Sequence, residues 1–171
     1  MNADTTQAGS AAGGKLEDLA GKYLTFRLAK EEYGVAILTV VEIIKMMEVT
    51  PVPRTPTYVR GVVNLRGKVI PVIELREKFG MEKTEDTDET CIIVAKVNGS
   101  HGDLEMGIII DTVSEVLDIE SEQIEPPPEF GAACDTEFIL GLAKTGDSVK
   151  ILIDINRVLS PEELQKVAGA G

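Results

Sequence analysis

The residues that most often carry chemistry in proteins are scarce in this chain. Its 171 residues include one histidine, His101, and two cysteines, Cys91 and Cys134. A histidine can act as the base that activates a nucleophile, but His101 stands in a Gly/Ser-rich loop with nothing nearby in sequence to complete such a pair. One histidine and two distant cysteines also cannot supply the ligand set that zinc usually takes. The sequence predicts neither a hydrolase site nor a metal site.

Cofactor sites lack their usual signatures as well. No glycine-rich loop opens a helix after a strand, so the backbone nest that holds the phosphates of nucleotides is missing. The acidic clusters lack the alternating oxygen ligands of a calcium loop. We therefore expect no cofactor and no catalysis. An enzyme that uses a pair of carboxylates with displaced pKa values is the alternative that the sequence leaves open.

Composition narrows the class of partner. The chain has 29 acidic and 17 basic residues, a net charge of −12, and 4% aromatic residues. This charge repels phosphate backbones and anionic lipids, so nucleic acid and direct membrane contact are poor predictions. A small barrel that binds single-stranded nucleic acid would need a basic, aromatic groove, which this composition does not favour. A basic partner, or none, fits this charge better.

Cysteine usage and hydropathy indicate a cytoplasmic protein. Two cysteines are too few for a secreted disulfide scaffold, and Cys91 opens an apolar run in which a thiol behaves as a small hydrophobic side chain, so we expect both thiols to be reduced. The N-terminus has no secretory pattern, and no apolar stretch approaches the roughly 18 residues of a membrane span.

The most informative stretch is Gly61–Leu75. Two apolar, β-branched runs flank the polar segment Asn64–Lys68, and Gly67 can take positive φ, so the pattern predicts strand, tight turn, strand. The turn displays Arg66, which suits recognition of another protein, although a solvated arginine is the plainer alternative. Because Pro71 cannot donate to a strand ladder, it predicts that the second strand lies at a sheet edge or on a bulge.

Alternation and turn residues predict the other elements that position this turn. Residues 1–20 read as a disordered tail, and 21–168 as one domain. Leu38–Met47 predicts a helical turn that runs into a strand, Thr50–Pro56 an extended crossing loop, and Ser160 the cap of a short helix that ends near Val167. Further strands are predicted at Tyr23–Leu28, Tyr33–Ile37, Cys91–Val97, Glu105–Asp111, Ile139–Lys144 and Val149–Ile155, with a helical turn at Arg76–Phe79, a loop at Asn98–Asp103 and an acidic spacer at Asp118–Glu129.

An internal repeat indicates two similar halves. Gly34–Ile43 can be laid on Gly107–Val116, with the glycine, the Thr-Val pair and the glutamate coinciding. Each copy precedes a proline-containing spacer and a glycine-started hairpin. We therefore expect two β-rich halves, roughly 23–80 and 90–160 and possibly sharing strands, that form small barrels with a groove between them. A single sandwich is the alternative.

The run from Gly61 to Arg76, with its Asn-Leu-Arg-Gly turn followed by Pro-Val, resembles the CheW-like domain family of bacterial chemotaxis coupling proteins. The resemblance extends from about Tyr23 to the C-terminal helix, through Glu32–Gly34 and Ile151–Ile153. It implies a mainly β fold of two five-stranded, SH3-like barrels with short helices. It also implies a non-enzymatic cytoplasmic adaptor that joins the tips of methyl-accepting chemoreceptors to the histidine kinase CheA and is recruited to membrane-associated arrays through these partners.

The resemblance also implies which residues bind. By position in the family pattern, the residues for kinase and receptor contact are Val40, Glu42, Ile43, Gly61, Asn64, Leu65, Arg66 and Gly67, and those of a receptor-coupling groove are Gly107, Val113 and Val116. We further hypothesise that Glu42 and Arg66 form an ion pair that fixes the turn. The same domain occurs in the kinase itself and beside a receiver domain. Because the chain ends soon after the predicted fold, we expect the stand-alone adaptor, with a kinase fragment as the alternative.

Overall fold

Strands account for most of the regular structure in this computed structural model, which describes residues 19–99, 102–127, 138–160, 162–163 and 166–167. Several predicted features lie outside the described residues: residues 1–18 of the predicted tail, His101, Cys134, and residues 128–129 at the end of the acidic spacer. In the described part of the chain, no helix has the length and apolar character needed to cross a membrane.

Eleven strands are formed by these residues. They are β1 Gly21–Leu28, β2 Glu31–Ala36, β3 Val40–Lys45, β4 Val59–Leu65, β5 Lys68–Glu74, β6 Cys91–Gly99, β7 Gly102–Ile110, β8 Thr112–Ile119, β9 Ile124–Glu125, β10 Ile139–Thr145 and β11 Ser148–Ile153. Two short α-helices, α1 Leu75–Lys78 and α2 Ile155–Val158, follow β5 and β11. Single 3-10 turns at Ile37–Thr39 and Ser121–Gln123 precede β3 and β9.

The strands form two sheets that each take strands from both sequence halves. One sheet has the order β9-β10-β11-β2-β1-β8, and the other has the order β3-β6-β7-β5-β4. The two orders are related, because a hairpin from one sequence half lies between strands of the other half in each sheet. The β2–β11 and β5–β7 pairings are parallel, and the remaining pairings are antiparallel.

Each sheet curls toward a barrel because a strand bends and returns to the opposite edge. The chain after β3 reaches β4 through a bridge between Thr50 and Val62, and the chain after β8 turns into β9, which pairs with β10. Bending a strand round a corner in this way is how small barrels cover their edges. The mainly β class with SH3-like subdomains and short helices is therefore confirmed.

The largest hydrophobic cluster lies between the two barrels. It takes Leu24 and Phe26 from β1, Ile93 from β6 and Ile108 from β7, all nearly inaccessible to solvent. The interiors of the two barrels are smaller, separate clusters. Because burial of apolar area supplies most of the folding free energy, the barrels are held to one another at least as firmly as each is held together internally.

Pro71 was predicted to place β5 at a sheet edge or on a bulge. The sheet-edge alternative is wrong, because β5 lies between β7 and β4, but the β4–β5 ladder does have a register irregularity between Val59 and Gly61, next to the pairing of Val62 with Pro71. Pro71 is tolerated there because its partner Val62 directs both backbone groups to Thr50 instead of to β5, and because the pairing of β5 with β7 begins only at Val72. The missing N–H therefore breaks no ladder bond on the β4 side.

Three other boundaries differ from the predictions. β6 and β7 extend into the predicted Asn98–Asp103 loop as far as Gly99 and Gly102, with Asn98 opposite Asp103. β8 was not predicted as a strand, and only its end from Asp118 fell in a predicted element, the acidic spacer. The β11 strand ends before Ile155, which begins α2.

The most local predictions hold. The hairpins β1–β2, β4–β5 and β10–β11 are confirmed, as is the helical turn before β3. Ser160 and Glu163 exchange the two hydrogen bonds of a capping box, at 2.8 and 3.1 Å.

Asp111, which directly follows β7, links the two barrels through its hydrogen bonds. Its carboxylate accepts a hydrogen bond from Arg76 Nε at 2.8 Å, another from Arg76 Nη2, and one from the backbone N–H of Ala29 at 2.8 Å. Ala29 lies in the β1–β2 turn with a φ of 55°. Burial raises the pKa of Asp111, but the bonds from Arg76 and Ala29 outweigh it, so the net pKa is lowered.

We predict that Asp111→Asn lowers the free energy of unfolding near neutral pH by about 1–2 kcal/mol, allowing for partial solvent screening. Because the pKa of the folded form is below that of the unfolded chain, the contribution of Asp111 is complete above the unfolded value and is lost as the pH falls through the folded value. Urea denaturation near pH 7 and about pH 3 should show the variant and wild type converging in acid. Equal losses at both pH values would contradict the assignment.

Asp118→Asn is the matched control for this prediction. Asp118 pairs with Lys22 at 3.0 Å, but the two side chains are 71% and 61% exposed. Solvent-exposed pairs contribute little. The control variant should stay within about 0.5 kcal/mol of wild type.

Candidate binding site

The β4–β5 turn holds Arg66 in a backbone conformation that arginine seldom adopts. The φ angles of Arg66 and Gly67 are 51° and 84°, and the Asn64 side-chain oxygen accepts the Gly67 N–H at 2.9 Å. Left-handed backbone costs a non-glycine residue about 1 kcal/mol. Strain of this kind clusters at functional positions. The sequence predicted positive φ for Gly67 but not for Arg66.

Glu42 on β3 and Arg66 form an ion pair, as hypothesised. The strands β3 and β4 are at opposite ends of the sheet order, so this pair connects the two edges of the curled sheet. Arg66 is 69% exposed and Glu42 is 28% exposed. A pair this exposed adds about 0–1 kcal/mol to stability. Its effect is to orient the guanidinium on the surface.

The outer face of β3 carries apolar side chains beside this pair. Val41 and Ile43 are 45% and 43% exposed, and Leu38 in the preceding 3-10 turn is 95% exposed. Val40 is half-buried and packs against the cluster between the barrels. An edge strand that exposes apolar side chains is a ready surface for a protein partner. The site prediction did not include Leu38 and Val41. An exposed leucine in a tight turn could have been recognised from the sequence.

β8 offers an equivalent surface on the other barrel. Val116 is 49% exposed and lies opposite the buried Leu24, just as Ile43 lies opposite the buried Ile93. Directly paired residues share a face of the sheet. Ile43 and Val116 therefore extend the cluster between the barrels to the protein surface.

Strands β3 and β8 both come close to Cys91. Lys45 at the end of β3 pairs with Cys91, and the Cys91 thiol lies against the backbone of Val113 on β8. Burial raises the pKa of this thiol, and the contact with Val113 lowers it less, so the pKa is raised overall. We call this region, formed by Val40, Ile43, Val113 and Val116, the inter-barrel edge.

Two glycines of the predicted site are buried and have structural roles. A Cβ on Gly61 would lie 2.1 Å from the Thr50 carbonyl oxygen, and one on Gly107 would lie 2.8 Å from Ile92 Cγ2. Gly107 therefore lies in the sheet interior and not on a groove wall, and a substitution there would act through packing. Leu65 is half-buried and packs against the barrel interior.

Among the described residues, no group of three or more His, Cys, Asp or Glu side chains is placed to hold a metal ion. The surface instead combines a fixed guanidinium, a charged pair and an apolar edge. This combination can hold another protein in a defined orientation.

Comparison with known proteins gives the same indication. Residues 22–163 match the family model described as CheW-like domain. The chain is 41% identical over 162 residues to a chemotaxis protein CheW of Klebsiella aerogenes, covering 94% of this chain and 95% of that protein. It is 36% identical over 149 residues to a chemotaxis protein CheW of Treponema pallidum, covering 85% of each. The crystal structure of the scaffolding protein TtCheW from Thermoanaerobacter tengcongensis is similar with a TM-score of 0.74 and 38% identity, covering 84% of this chain and 97% of that one.

Proposed function

We propose, because this chain belongs to the CheW-like domain family, that it is a non-enzymatic adaptor that couples the cytoplasmic tips of chemoreceptors to the histidine kinase CheA. The single observation that supports this most directly is the display of Arg66, strained in its backbone and paired with Glu42, beside an exposed apolar strand. Such a surface suits the binding and orientation of a partner rather than catalysis. The proposal places the protein in the cytoplasm, recruited to receptor arrays through its partners.

The two surfaces suit two partners. We assign the Arg66 turn and β3, with Glu42 and Ile43, to the kinase, because a charged pair with apolar neighbours resembles the centre of a protein interface. We assign the part of the inter-barrel edge that β8 forms, at Val113 and Val116, to the receptor. Asn64 and Gly67 shape the turn, Gly61 allows the close approach of Thr50, and Gly107 keeps the sheet closely packed.

A binding titration tests the adaptor role. The full chain should bind the purified regulatory domain of the kinase and receptor cytoplasmic fragments separately, and should bring them together in one complex in sedimentation or size-exclusion experiments. Failure to bind either partner, with a folded sample by circular dichroism, would refute the proposal.

Val116→Asp should weaken receptor binding about tenfold or more, since a carboxylate replaces an apolar contact at the centre of the inter-barrel edge. Val149→Asp is the matched control, because Val149 is 50% exposed against 49% for Val116 and lies on β11 near the tip of the β10–β11 hairpin. Fluorescence anisotropy with a labelled receptor fragment measures both. Equal losses in the two variants would argue against the assignment.

Val40→Asp would be a poor test of binding by β3. Val40 packs against the cluster between the barrels, so an aspartate there would disturb the fold together with any binding. Ile43 is 43% exposed and tests the same strand with less risk to stability.

A further inference from the structure

The two sequence halves cannot form sheets on their own. In the first half, β1 pairs with β2 and β4 pairs with β5, but β3 has its ladder with β6 of the second half. In the second half, β6 pairs with β7 and β9–β11 pair in order, but β8 has its ladder with β1 of the first half. The parallel pairs β2–β11 and β5–β7 also join the halves.

Each half alone would therefore contain separated small hairpins and one strand without a partner. An isolated two-stranded hairpin is marginally stable at best in water. The cluster between the barrels would be divided too, since Leu24 and Phe26 come from the first half and Ile93 and Ile108 from the second. Folding requires one first half and one second half.

The two halves are joined by a single connection, the segment of residues 79–90 between α1 and β6. It contains no strand, and residues 82–89 are exposed. The polar contacts that hold this segment run to the first half, where Arg60 binds Asp86 at 3.0 Å, Glu74 binds Lys83 at 3.5 Å and Arg76 donates to the Glu82 carbonyl at 2.9 Å. The segment can therefore stay with the first half while the second half is supplied by another chain.

We propose that a second copy of this chain is a partner, and that two copies exchange halves through the opened 79–90 segment. The first half of each chain folds onto the second half of the other. Every strand pairing and the whole cluster between the barrels are preserved, so the exchanged dimer differs from two monomers only in the 79–90 segment. Each inter-barrel edge of the dimer takes Ile43 from one chain and Val116 from the other.

Concentration decides which form is made. Within one chain the short connection gives the halves a high effective concentration, so the monomer forms in dilute solution. Exchange competes when unfolded chains meet at high concentration. Because the halves separate only when four cross-half ladders open together, the dimer should persist after dilution.

The test is to refold the full chain from urea at concentrations between about 10 μM and about 1 mM, and to measure the molar mass after dilution by size-exclusion chromatography with light scattering. We expect monomer at the lowest concentration and a growing dimer fraction at the highest. The dimer is then cut at a protease site inserted between Thr87 and Asp88. Cleavage should convert it to folded, monomer-sized complexes of two fragments, because only the two connections hold the units together.

A protease site inserted after Arg54, between β3 and β4, is the matched control. Cutting there divides the first half but leaves both connections intact, so the dimer should keep its size. A dimer that survives cleavage between Thr87 and Asp88 would show docking of complete monomers and would overturn the proposal. Monomer at every refolding concentration would overturn it as well, as would a cut monomer whose fragments separate as folded units.

Discussion

Replacing Gly61 with alanine is expected to lower the free energy of unfolding by more than about 3 kcal/mol, a large part of the roughly 5–15 kcal/mol of an ordinary domain. A Cβ there would lie 2.1 Å from the Thr50 carbonyl oxygen and 2.7 Å from its carbon, and the φ of Gly61 is 150°. Both contacts are to backbone, which no rotamer change can relieve. Thr50 and Val62 exchange backbone hydrogen bonds of 2.8 and 2.9 Å, and this bridge joins the segment after β3 to β4 at the opposite edge of the sheet. Urea denaturation followed by circular dichroism measures the loss.

Gly67→Ala separates backbone strain from the steric contact. Gly67 has a φ of 84°, but a Cβ there would meet nothing within 4 Å. This variant should lose only about 1 kcal/mol, the cost of left-handed backbone. Similar losses at Gly61 and Gly67 would mean that the approach of Thr50 does not limit the site. If the Gly61 variant fails to accumulate as folded protein while the Gly67 variant folds, the expectation is met in its strongest form.

The parts of the fold that sequence predicts are those fixed by neighbours along the chain. The β4–β5 hairpin follows from two β-branched runs around a glycine turn, and the C-terminal cap at Ser160 follows from a four-residue pattern. The pairing of Glu42 with Arg66 joins residues that are distant in sequence. It was predictable only because both positions matched a family pattern, which carries three-dimensional information that spacing does not.

The parts that sequence did not predict depend on partners far along the chain. No strand was predicted for β8, an edge strand that carries Glu115 and Asp118, because the β1 strand with which it forms its ladder is far away in the sequence. Pro71 suggested a sheet edge because nothing local showed that Val62 bonds to Thr50. The burial of Gly107 depends on Ile92 and Val72 from other strands. These failures have one cause, since tertiary pairing overrides local preference.

Arg66→Glu is expected to weaken binding of the kinase regulatory domain roughly 30-fold or more, which corresponds to about 2 kcal/mol. The substitution reverses the charge at the tip of the turn and places a second carboxylate beside Glu42. Because the two carboxylates repel each other, the new side chain points away from the position that the Arg66 guanidinium occupies. Because Arg66 is 69% exposed, the free energy of unfolding should change by less than about 1 kcal/mol. Isothermal titration calorimetry gives the affinity, and urea denaturation gives the stability.

Two further variants separate a binding role from a structural one. Arg54→Glu is the matched control, because Arg54 is also an exposed arginine with positive φ, 64° against 51° for Arg66, and lies in the crossing loop. It should leave kinase affinity within about twofold of wild type, a difference below about 0.5 kcal/mol. Arg66→Gly removes the guanidinium and also removes the strain of a side chain in left-handed backbone, so it should raise the free energy of unfolding by up to about 1 kcal/mol while kinase binding falls. A gain in stability together with a loss of kinase affinity cannot come from a residue whose only role is to hold the turn together. Losses of both stability and affinity would instead mean that Arg66 has a structural role.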